Sequence, residues 1–263
     1  MNLVLNEKKY IEEISNGTIT DDILTTTIRC LIKNYVIEGK SKNEIVCLVE
    51  EYLSSRLKQK YKSKKWESYI TKTVGSVFKQ KKSYEKEEKE FQLNEIDCIK
   101  VSFSELEKIK LIENISAEKI AFVLLVCGRI NQQLSKDNKI GTYCNREFFK
   151  DCGLSFSNAN RNLINHLKQL GYAQPSSNNQ SSFVEILIAD IEYGDNEGIV
   201  VDDFRDFVLI YEKWIGEKIG KCGCGGLIKL TSGNKRMCNI CWKEHRKGKN
   251  REKALRYYNK NKH

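Results

Sequence analysis

The sequence predicts a mainly helical chain with small β elements, made of a helical unit, a helical unit ending in a hairpin, and a cysteine-rich module with a basic tail. Three observations predict it. Helical periodicity dominates residues 1–82 and 116–171, and the one proline, Pro175, lies beyond both. Strand-like runs are short and bounded by polar turns. Four of the ten cysteines crowd into residues 222–241, among lysines and arginines.

The chain has 263 residues, of which 40% are hydrophobic and 10% aromatic, so two or three small packed domains are expected. No apolar run reaches the roughly eighteen residues of a membrane span. The first residues, "MNLVLNEKKYIEEIS", lack the apolar stretch of a signal peptide. The expected compartment is therefore the cytoplasm, where thiols stay reduced. Cys30, Cys47 and Cys127 fall in apolar helical patterns and read as small buried hydrophobes.

Residues 1–82 read as a helical domain. Ile23, Ile28, Leu31, Ile32 and Tyr35 fall near helical spacing, with Gly39 as the stop. "SKNE", Ser41 to Glu44, is a capping box for the next helix, "IVCLVEEYLSSRL". A third helix starts after Ser63, with Trp66, Ile70, Val74 and Val77 on one side. Ten Lys/Arg lie between Arg56 and Lys82 against Glu67, and they read as a solvated helix face. Residues 83–115 read as a charged linker with connecting elements: "KQKKSYEKEEKEF" as linker or helical extension, then a strand-like "IDCIKVSF" leading into a helix.

Residues 116–217 form the next expected domain. Ser116 opens a strongly apolar helix, "AEKIAFVLLVCGRINQQL". A short helix, "NREFFKDCG", follows. Then comes a longer one capped by Ser157 and stopped by Gly171. Two strands, "YAQP" and "FVEILIADI", flank the polar turn "SSNNQS". This order is that of a winged helix-turn-helix, whose second helix reads a DNA major groove and whose hairpin is the wing. Asn158, Asn160, Arg161, Asn162, Asn165 and Lys168 are then expected to face nucleic acid, with Leu163, Ile164, Leu167 and Leu170 inside. Asn and Arg are the side chains that contact adenine and guanine edges in pairs of hydrogen bonds. The hairpin flank opposes this: ten acids lie between Glu185 and Glu217 against Arg205 and Lys213. "VVDDFRDFVLIYEKWIG", Val200 to Gly216, reads as one amphipathic helix.

In residues 218–242, Cys222 and Cys224 form one pair, and Cys238 and Cys241 the other. Paired thiols at this spacing, with glycines at 223, 225 and 226, suit a tetrahedral zinc ion and predict a zinc ribbon. "LIKLTSGNKRM" is expected to supply a hairpin turning at Ser232–Gly233–Asn234, between the two knuckles. One intervening residue in the first pair, rather than two, leaves His245 as a substitute ligand. The remaining residues, 243–263, read as a basic tail. Residues 221–263 hold 13 Lys/Arg against two acids, a net of +11, while the whole chain carries +10. The basic character thus belongs to the C-terminus. Lys243, Arg246, Lys247, Lys249, Arg251, Lys253 and Arg256, with Tyr257 and Tyr258 offering stacking faces, suit a phosphate backbone.

The paired cysteines followed by "CWKEHRKGKNREKALRYYNKNK" resemble the zinc-ribbon ends of small proteins from phages and mobile elements of Gram-positive bacteria. "KWESYITKTVGSVFK" behind "IKNYVIEGKSKNEIV" resembles helical segments of phage replication-associated proteins. The resemblance implies a role in DNA replication or transcription control, in the cytoplasm of a bacterial host. The expectation is a non-enzymatic, zinc-containing nucleic-acid-binding protein, with DNA as partner. The alternative is a docking factor for a host protein such as a polymerase or defence complex. A nuclease is disfavoured: His245, Asn259 and His263 exist, but no phosphate loop or Ser/His/Asp set accompanies them.

Overall fold

A computed structural model describes residues 4–16, 24–135, 140–175, 182–190, 197–230 and 236–260. The chain is mainly helical with small antiparallel sheets, and it divides into two compact units, residues 2–97 and 98–263. The division falls inside the stretch expected to be a linker, and that stretch belongs to the units on either side of it.

In the first unit, α1 (Glu7–Ser15), capped by the Asn6 side chain, adds a helix ahead of the three singled out in the sequence. It is followed by α2 (Leu24–Ile37), α3 (Lys42–Leu57) and α4 (Ser63–Lys86). The Ser41 capping box forms as expected: the Ser41 N–H donates to Glu44 Oε2 at 2.8 Å, and the Glu44 N–H donates to Ser41 Oγ at 3.4 Å. Three helices close on one apolar core, with Ile28 and Ile32, Ile45, Val49 and Leu53, and Ile70 and Val74 from successive helices. Cys47 is exposed, contrary to expectation. It lies two residues from Ile45 and Val49, about 200° around the helix from each. The run "KQKKSYEKEEKEF" continues α4 to Lys86, after which the chain returns to bridge Asn6 with Glu95. Lys33, buried, donates to Glu7 Oε2 at 2.5 Å and holds the first and second helices together.

The second unit is built around α6 (Ile115–Ser135), buried on every side from Ile120 to Ile130. Asn114 caps it, two residues ahead of the expected Ser116 start: its Oδ1 accepts from Ser116 and Ala117 at 3.1 Å. Before it come β1 (Ile99–Ser102) and α5 (Phe103–Lys110), the latter with a capping box between Ser102 and Glu105. After it come β2 (Gly141–Tyr143), α7 (Arg146–Asp151), α8 (Asn158–Gln169), β3 (Ala173–Pro175) and β4 (Phe183–Ile186). The sheet order is β2-β4-β3, antiparallel throughout, with Tyr143 opposite Phe183 and Ala173 opposite Ile186. β2 is a strand absent from the expected set. The loop expected to turn through residues 176–181 lies outside the described residues.

Val200–Gly216 is not one helix. Residues Gly198–Val201 form β5, paired with β1, and the helix α9 is only Val208–Trp214. Pairing with β1 divides it, aided by β-branched Val200 and Val201, which suit the strand, and Asp206 takes a positive φ of 48° before α9. The apolar stripe survives as Phe207, Val208 and Tyr211, all buried, with Phe207 and Tyr211 against Phe122 of α6. Beyond it lie β6 (Ile219–Lys221), β7 (Leu227–Lys229) and α10 (Asn239–Lys260). Among the described residues no helix is long and apolar enough to cross a membrane.

Candidate metal centre and exposed helix faces

The first cysteine pair sits in the loop between β6 and β7, whose ladder closes with Lys221 opposite Leu227. Two hydrogen bonds shape this loop. Gly225 N–H donates to Cys222 O at 2.9 Å, and Cys222 N–H donates to Gly226 O at 2.8 Å. Gly225 has φ +85°, a conformation that glycine adopts without steric cost. The second pair starts α10. Cys238 precedes the first helical residue, and its sulfur accepts from the Cys241 N–H at 3.4 Å. Cys238 is thus an N-cap with a thiol in place of the usual hydroxyl or carboxylate. The two-residue gap between Cys238 and Cys241 is the spacing of a cap and the third helical residue.

The four ligand sulfurs lie within 4.8 Å of one another, and Cys224 Sγ is 3.6 Å from Cys238 Sγ. Thiolates bound at ~2.3 Å to one tetrahedral ion sit about 3.8 Å apart. The donor set and its spacing therefore fit a metal ion such as zinc. Backbone N–H groups of Cys224 and Cys238 stabilise the Cys222 thiolate and draw its pKa down to about 6. Hydrogen bonds with the sulfurs of Cys224, Cys238 and Cys222 push Cys241 up to about 12. His245 stands apart: it lies on α10 with its ring 6.2 Å from that of Trp242, outside the group of four.

The paired strands β6 and β7 enclose the first cysteine pair, and the second pair lies at the start of a helix. The turn expected at Ser232–Gly233–Asn234 lies outside the described residues. Beside the cluster stands Arg205, which no sequence signal marked. Its guanidinium donates to both Asp203 oxygens at 2.8 and 2.7 Å, and those bonds raise its pKa, with charge on Cys224 and Cys238 adding to the effect. The hairpin is tied to the rest of the unit by Glu212 of α9, which is almost wholly buried. Lys229 of β7 pairs with it at 3.0 Å, and Lys119 of α6 pairs with its other oxygen.

On α8, Ser157 caps the helix as expected, its Oγ accepting from Asn160 N–H at 3.3 Å. Ile164 and Leu167 point inward, while Leu163 is half-buried and Leu170 is 46% exposed, contrary to the expected interior place. Asn158, Arg161, Asn162 and Asn165 are exposed along one side, and Gln169, which the sequence pattern did not mark, continues it. Lys168 is half-buried at its margin. Asn160 is half-buried on the inward side, and its amide donates to Ser155 O at 2.8 Å. At 100° per residue it lies about 160° from Asn158. Arg161 donates to Asn158 Oδ1 and lies 5.3 Å from the Phe156 ring centre.

The acidic flank is largely engaged internally. Asp190 pairs with Lys108 at 2.8 Å, Asp203 with Arg205, and Glu217 with Lys229 at 3.2 Å, while Glu185 accepts from Gln174 at 2.9 Å. These acids are neighbours in chain order; the fold sets cations beside them.

The basic tail is helical. α10 runs without a break across the expected boundary at residues 242 and 243, and every residue from Trp242 to Tyr258 is exposed. The side chain of Asn259 and all of His263 lie outside the described residues. No protein-family model, curated protein or solved structure matches the chain.

Proposed function

We propose that this protein is a non-enzymatic DNA-binding factor of the regulatory or replication-accessory type. In this reading residues 116–186 act as a winged helix-turn-helix and Cys222, Cys224, Cys238 and Cys241 hold one structural zinc. The observation that carries it is the exposed side of α8. Asn158, Arg161, Asn162, Asn165 and Gln169 offer donors and acceptors with no carboxylate among them, opposite buried Ile164 and Leu167. Element order and the β2-β4-β3 sheet support the same reading, since a short helix and a turn deliver α8 across the face of α6. The zinc serves to fold its own module, because among the described residues of 219–241 only Cys222, Ile228 and Cys238 form a buried apolar cluster, too little to fold alone.

The test is binding of the full chain to a library of duplexes. A preferred sequence should emerge, and Arg161→Ala should reduce discrimination at one position by ~1–3 kcal/mol. Loss that is equal on every sequence would reduce Arg161 to a phosphate contact and remove α8 as the reader. A host-protein docking factor is the competing reading, served by exposed Tyr143, Phe156, Leu170 and Leu187 on the same unit. It predicts a stoichiometric protein partner retained after nuclease digestion.

A further inference from the structure

Among the described residues, the packing of the fold does not account for α10. A helix exposed from Trp242 to Tyr258 gains little stability from packing over that length. It still holds a continuous helical path out of the metal centre.

The order of its charges is informative at 100° per residue. Arg246, Lys249, Lys253 and Arg256 recur at steps of three, four and three residues and form one line along the axis. Lys243, Lys247 and Arg251 recur at steps of four and form a second line, about 140° around the helix. Between the two lines lies a strip holding Asn250, Ala254 and Tyr257. Both acids, Glu244 and Glu252, lie on the opposite side, together with Gly248 and Leu255.

We propose that α10 enters the major groove of duplex DNA, its two cation lines on the two phosphate walls and the strip of Asn250, Ala254 and Tyr257 toward the base edges. The B-form major groove is about 12 Å wide and admits one α-helix, with a phosphate wall on either side. Two cation lines set about 70° to each side of a central strip match that cross-section, and both acids then face away from phosphate. Asn250 carries the carboxamide that pairs with an adenine edge, and Ala254 and Tyr257 offer surface to a thymine methyl. From Asn250 to Tyr257 the helix advances about 10 Å, some three base pairs. The groove of an A-form RNA duplex is too deep and narrow for a helix, so DNA is the occupant. This proposal rests on the reading of the chain as a nucleic-acid binder, and it assigns a second reading element besides α8.

Gly248 provides the test, since it lies on the outward side and a Cβ there meets nothing within 4 Å. Binding of full-length protein to a DNA duplex of about three helical turns, the matching RNA duplex and a DNA single strand would be followed by fluorescence anisotropy. If α10 binds as a helix, Gly248→Ala tightens DNA binding by no more than about fivefold, because alanine favours the helix and the gain counts only where the free helix frays. Gly248→Pro weakens it roughly tenfold or more, and the RNA duplex and single strand bind at least about tenfold more weakly than duplex DNA. Metal content of each variant checks that the centre is intact. Duplex affinity that persists while both variants bind like the parent overturns the groove helix and leaves the DNA-binding reading standing. Equal affinity for RNA duplex or single strand overturns it in the same way. A chain that binds none of the three overturns both.

Discussion

Glu105 holds three segments of the second unit with one carboxylate. It is fully buried and accepts from Ser102 N–H at 3.0 Å, Asp190 N–H at 2.8 Å, and both Arg129 terminal nitrogens at 2.9 and 2.5 Å. Glu105→Ala would leave the Arg129 guanidinium, 4% exposed, without its counter-ion, and two amides without their acceptor. Breaking a buried pair by removing one partner costs about 3–5 kcal/mol. The orphaned amides add to that, and water entering the space relieves some of it, so about 4 kcal/mol is the expected loss. A domain's whole stability is ~5–15 kcal/mol. Native-state hydrogen exchange can read this loss in the second unit alone. The slowest α6 amides should exchange roughly 10³-fold faster, at 1.4 kcal/mol per tenfold, with α3 amides of the first unit unchanged. Glu105→Leu with Arg129→Met should recover about 2 kcal/mol or more, since neither charge is then stranded. Acceleration below about fivefold, or single effects that simply add, would refute the account of a buried, mutually dependent pair.

Two further outcomes are expected. Elemental analysis should find one zinc per chain, and Cys238→Ser should abolish it while stripping exchange protection from β6, β7 and the start of α10 but not from α6 to α8. The hydrogen bond from Lys108, then that from the Ser102 hydroxyl, holds the Asp190 carboxyl below its ordinary 3.8 against partial burial. Its stabilising effect is therefore complete above that pH and fades as pH falls through the lower folded value. Asp190→Asn should cost under ~1 kcal/mol near neutrality, because the pair is partly exposed, and progressively less in acid. Urea unfolding of parent and variant at several pH values gives the difference, and a gap that widens in acid would contradict the sign.

Local signals were legible wherever a few neighbouring residues decide the outcome. The Ser41 and Ser157 caps, the Gly171 stop and the four cysteines rest on side chains meeting backbone within a turn or two. What could not be read depends on distant partners. β2 and β5 exist because β4 and β1 lie beside them, and three residues of "GTY" carry no periodicity. The break in Val200–Gly216 is decided by strand pairing, which outweighs an apolar stripe that fits a helix equally well. Arg205 comes near the thiol cluster only because the chain folds back from residue 205 to the hairpin. Asn160 looked like its neighbours in the sequence, and only its angle on α8 separates it from them.

Glu212 gives the metal module a mechanical meaning. Through Lys229 it fastens the hairpin to α9, and through Lys119 it fastens α9 to α6, the helix that also carries α8. The thiol cluster in turn is the joint between that hairpin and α10. In the proposed DNA-binding reading, locking that joint sets the separation of the α8 and α10 surfaces, like the jaws of a gauge, and the second finds its place at high effective concentration once the first has landed. With the joint slack, the same surfaces become two weak binders on a tether. Occupancy of the four thiols would then tune avidity and the spacing of the sites that can be spanned, without altering a single contacting residue.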